Sequence, residues 1–81
     1  MTEELKRNVS VIHDLERAIR VWELVRARTQ QVVIETSAYF EKQGEVFQSN
    51  RAVEKACVDI AKYDWMVLWA KEEIDKRESE N

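Results

Sequence analysis

The chain has 81 residues, 44% of them hydrophobic and 36% charged, with 13 basic against 16 acidic side chains and a formal net charge of −3. That balance excludes a polycation that coats nucleic acid and a disordered polyelectrolyte, and a chain this short with no composition break holds at most one domain, near the lower size at which one core sustains a fold. With no proline and a single glycine, Gly44, it also excludes a turn-rich β architecture, so composition alone predicts an all-α protein.

The chain opens on MTEELKR, which mixes charges and leads into no long apolar run, so it does not read as a secretory signal. Thr2 is placed to cap the first free amides, and Glu3 and Glu4 suit the positive end of a helix dipole. Apolar or small residues then recur at Leu5, Val9, Ile12, Leu15, Ile19, Trp22, Val25, Thr29, Val33, Thr36 and Phe40. Spacings of three and four are helical, and they predict a helix over about residues 3–43, roughly 60 Å long at ~1.5 Å per residue. A second apolar set, Val11, Ala18, Val25 and Val32, runs along one flank of it. Residues 29–36 are β-branched enough to suggest a strand, but a lone strand has no partner for its backbone groups, so the segment reads as helix. A break near Thr36 or Gly44 would give three helices instead of two.

Gly44 is the one interior breaker, suited to a left-handed helix cap. It predicts a connection over about residues 44–50, with Ser49 or Asn50 capping a second helix over about residues 51–77. A heptad stripe through Val53, Ala56, Ile60, Tyr63, Val67, Ala70 and Ile74 marks the face that meets the first helix. Pairs four apart, Lys55 with Asp59, Lys71 with Asp75, Glu72 with Lys76 and Glu73 with Arg77, predict a solvated surface, and residues 78–81 read as a frayed end.

Two helices in a hairpin need one apolar stripe each, and here each has more. At ~100° per residue, Val58, Trp65 and Trp69 fall to the side of the heptad stripe, with Cys57, Ala61 and Leu68 beside them. A lone hairpin leaves that surface in water. The expectation is a homodimer in which two hairpins form a four-helix bundle, with a monomeric three-helix bundle as the alternative. A third outcome leaves the Trp face open for a different protein, with Phe47, Val58, Trp65, Met66 and Trp69 as the partner-binding residues.

Chemistry is sparse. His13 is the only histidine and the residue three before it is Ser10, so the Glu-x-x-His pairs of a di-metal bundle are missing, and one Cys with one His is too few for a structural zinc. His13 reads as a surface residue and Cys57 as a small core-facing hydrophobe. One glycine cannot build a phosphate loop, and no Ser-His-Asp or Cys-His arrangement has local support. The chain resembles the small helical chorismate mutases in outline, a long first helix in an intertwined dimer. A dicarboxylate pocket of that kind needs several cations aimed into the bundle, whereas only Arg7 and Arg26 approach the inward side here. The sequence therefore predicts no enzyme, no cofactor and no metal.

Lys6, His13, Arg17, Arg20 and Arg28 fall within about 80° of one another on the first helix, with Lys42 further along. This basic stripe is the candidate contact for phosphates of nucleic acid or another anion, although no stacking aromatics accompany it. The longest apolar run, residues 65–70, falls far short of a ~20-residue span, so no membrane association is expected. A single cysteine fits a reducing, cytoplasmic setting. The functional expectation is a small non-enzymatic helical protein that regulates, adapts or inhibits a larger protein. The alternative is a helical dimer that binds nucleic acid through the basic stripe.

Overall fold

A computed structural model describes residues 2–80. Two helices, α1 (Glu3–Lys42) and α2 (Val46–Glu80), run antiparallel as an extended hairpin, with no strand among the described residues. Thr2 caps α1 as its position suggests, its hydroxyl accepting from the Leu5 amide at 3.2 Å. The β-branched stretch stays helical and α1 passes Thr36 unbroken. Branched side chains weaken helix propensity only slightly, and Thr29 turns its hydroxyl back onto its own helix, donating to the Val25 carbonyl at 2.9 Å.

The turn is tighter than the sequence suggests. The Glu45 amide donates to the Phe40 carbonyl at 2.9 Å and the Gly44 amide to the Glu41 carbonyl at 3.1 Å, the two bonds of a Schellman motif. Gly44 takes the left-handed conformation, φ 74°, that this motif requires. The Ser49 amide already donates to the Glu45 carbonyl at 3.1 Å, so α2 starts at Val46 and not near residue 51. The connection is therefore Gln43, Gly44 and Glu45 alone, and neither Ser49 nor Asn50 is a cap. At the far end α2 remains helical through Glu80, where a frayed end is expected from residue 78; Asn81 lies outside the described residues. A Cβ built on Gly44 meets nothing within 4 Å, so the strain of Gly44→Ala comes from the backbone alone. The variant should lose about 1–2 kcal/mol, read as a lowered urea midpoint with an unchanged slope.

Ile12 and Ile19 of α1 and Ala56 and Ala70 of α2 are buried in the seam, flanked by half-buried Leu5, Leu15, Trp22, Val33, Phe40, Ile60, Tyr63, Val67 and Ile74. Small residues on α2 let the helices approach closely. Three polar links fix the register along the seam. Ser37 and Ser49 share a hydrogen bond between their hydroxyls at 2.8 Å near the turn, Arg26 pairs with Asp64 in the middle, and Arg77 donates to Asn8 at 3.0 Å near the open end. Ser49 is buried at 3% exposure because it fills this seam position, which accounts for its place inside α2.

Two sequence assignments to the seam change. Val25 lies on the flank, with Arg26 taking the inward position at that level, because the step from Trp22 to Thr29 is met by 22–26–29 and not 22–25–29. Val53 is likewise a rim residue, at 41% exposure. The hairpin is a rod with extents of 63 × 14 × 12 Å and a radius of gyration of 18.4 Å, against about 12 Å for a compact domain of this length.

Candidate functional site

Residues on the back of α2 are held there by its heptad geometry. Ala56, Tyr63 and Ala70 face α1, and half a turn away from them stand Val58, Ala61, Trp65 and Leu68, spaced three and four apart. All four are exposed, Val58 at 69% and Trp65 at 66%. Phe47, the second residue of α2, lies on the same side, at 74%, and Trp69 turns about 40° from Trp65 toward the hairpin's flank. Met66 is half-buried beside the seam. The predicted partner-binding residues thus divide: Phe47, Val58 and Trp65 line the back of α2, and Trp69 and Met66 border one broad face of the rod.

That broad face is completed by α1. Its flank set Val11, Ala18, Val25 and Val32 continues to Tyr39 at the same seven-residue interval, with Val21 beside it. Between the helices the face dips into a groove of about 630 Å³, floored by Val25, Val32, Val33 and Ala56. Arg28, Lys55 and Asp59 stand at its rim. Tyr39 and Leu24, at 60% and 71% exposure, are contributors that the sequence reading passed over; the heptad interval from Val32 was the available signal for Tyr39. The opposite face is more polar at mid-rod, where Lys71 reaches Glu23 at 4.0 Å, and carries Ile34 and Val53 nearer the turn.

The basic residues Lys6, His13, Arg17, Arg20 and Arg28 all stand exposed on the back of α1. Arg17 pairs with Asp14 at 2.9 Å and Lys6 with Glu3 at 3.9 Å, which leaves His13, Arg20 and Arg28 without an ion pair among the described residues. Surface pairs of this kind contribute little stability, but they lower the positive field a phosphate would meet. Of the four ion pairs expected on α2 only Glu73 with Arg77 is closed, at 3.1 Å; in place of Asp75, Lys71 reaches across to Glu23 of α1.

Cys57 is exposed, not core-facing, because it falls a quarter-turn outside the seam stripe. Arg26, one of two cations nearest the inward side, is neutralised by Asp64, and Arg7 is exposed. Among the described residues no three His, Cys, Asp or Glu side chains are grouped to hold a metal ion, and no helix is long and apolar enough to cross a membrane. No family model, curated protein or solved structure matches this chain. The reading of its surface therefore rests on its own geometry. What that geometry offers is contact area: aliphatic and aromatic side chains in water on two sides of a hairpin whose seam holds no large side chain fully buried.

Proposed function

We propose that this chain is a non-enzymatic helical interaction protein, working as a pair of hairpins in a four-helix bundle, that regulates, adapts or inhibits a larger protein by docking onto it. The observation that carries this reading is Trp65, two-thirds exposed in the middle of a heptad stripe that faces away from the hairpin's own seam. A stripe of that spacing accepts an amphipathic helix from another chain, with a tryptophan as the anchor. The rod's accessible surface supports the pairing. It measures 6369 Å², against about 5,100 Å² for a compact monomer of this mass.

Trp65→Ala provides the test. It should leave helix content and solution mass unchanged and weaken capture of the partner protein by about 30-fold, the loss of ~2 kcal/mol at a buried aromatic anchor. Equal capture by the variant would sink the docking role. The nucleic-acid alternative draws on Arg20 and Arg28, the arginines on the back of α1 that have no ion pair among the described residues, and its mark would be a steep loss of binding with salt.

A further inference from the structure

We infer that two copies of the chain stack through the groove face, antiparallel and with their turns at opposite ends, so that α1 lies on α1 and α2 on α2 about a two-fold axis at Val25. This rests on the pairing proposed above and adds its face and register.

The first ground is area. Taking aromatic side chains at ~150–250 Å² and valine or leucine somewhat lower, the exposed fractions of Val21, Val25, Val32, Tyr39, Trp69 and Leu24 leave on the order of 600 Å², approaching the ~800 Å² each partner buries in a stable complex. The back of α2 is narrower and belongs to one helix only.

The second ground is register. On α1 the flank stripe begins at Val11 and ends at Tyr39, so full overlap of two antiparallel stripes places Val25 on Val25, Ala18 on Val32 and Val11 on Tyr39 of the second copy. Small residues then oppose larger ones, as interdigitating layers require. The axis on α2 follows from the two links that bracket it, Ser37 with Ser49 and Asn8 with Arg77, which put residues 60–61 level with Val25. On α2 the positions that border this face are Lys55, Asp59, Lys62, Met66, Trp69 and Glu73. Reflected between residues 60 and 61, Asp59 meets Lys62 and Lys55 meets Met66 of the second copy. Opposite charges therefore meet twice beside the axis, while the Lys55 stem lies along a thioether. The same register brings Trp69 of each copy over Ala52 of the other, at the groove. A ring that stands half out of its own hairpin fills the hollow of the second.

The axis gives the inference a sharp test, because only a residue on a two-fold lies against itself. Val25→Cys in a Cys57→Ser background is oxidised after its reduced solution mass has been measured. The reduced protein should be a dimer, and disulfide formation should run at least tenfold faster than for Ile34→Cys, which is exposed on the opposite face. Single variants Ala18→Cys and Val32→Cys should cross-link to each other when mixed and not alone, a second readout that does not depend on how Val25→Cys folds. A dimer whose Val25→Cys is no faster than Ile34→Cys and whose mixed variants stay unlinked would overturn this face and register while pairing stands. A monomeric mass would overturn both.

Discussion

Trp69→Ala should weaken the proposed self-association about a thousandfold while leaving most of the helix content in place. The ring is 46% exposed, so nearly half its surface is free to meet a second copy. Truncating a tryptophan anchor of this kind costs about 2 kcal/mol. In a two-fold assembly the same change falls on both sides, so the loss is about 4 kcal/mol, three decades in the dissociation constant. Sedimentation equilibrium over a concentration range reads it directly. Trp65→Ala is the companion measurement, since one turn of helix separates the two rings and they face different ways. A Trp69→Ala protein that associates like the unmodified chain would remove this residue from any self-contact.

Ala70→Leu should destabilise the hairpin by about 1–3 kcal/mol. Ala70 is the one residue with no exposed surface among the described residues, held where α2 comes against α1. Three added carbons have no space there, so either the helices part or neighbouring side chains leave their preferred rotamers. For a chain of this size a loss of about 2 kcal/mol lowers Tm by roughly 8–16 °C. Ala61→Leu makes the same chemical change on the exposed back of the same helix and should move Tm by only a few degrees. Equal effects at the two positions would mean that the seam does not run through Ala70.

The contrast between these two alanines shows what the sequence displayed and what it hid. Period alone assigned Ala56, Tyr63 and Ala70 to one face of α2 and Val58 and Trp65 to another, because a rotation of ~100° per residue needs no tertiary information. It could not choose between Val25 and Arg26 as the inward residue of α1. Both fit a step of three or four from their neighbours, and only Asp64 on the facing helix decides between them. Cys57 was misassigned for a related reason: residue type favoured burial, whereas its angle puts it outside the seam. The turn was misjudged because serine and asparagine are strong caps in isolation, while Ser49 is here taken up by Ser37 across the seam. Only the α1 side of the groove was visible, as the flank stripe through Val25 and Val32, and its hollow came from Ala52 and Ala56 of α2 meeting those valines. None of these features names a partner, since a stripe records the shape of what covers it and not its identity.

The three-residue connection has a kinetic consequence. Contacts near it join residues close in sequence, Ser37 with Ser49, whereas the open end joins Asn8 to Arg77, 69 positions apart. Loop closure is entropically cheapest at the turn and grows with each step away from it, so assembly begins there and zips toward the termini. Opening runs the same path in reverse. The exposed tryptophans ride on the middle of that zipper, ordered after the turn and released before it.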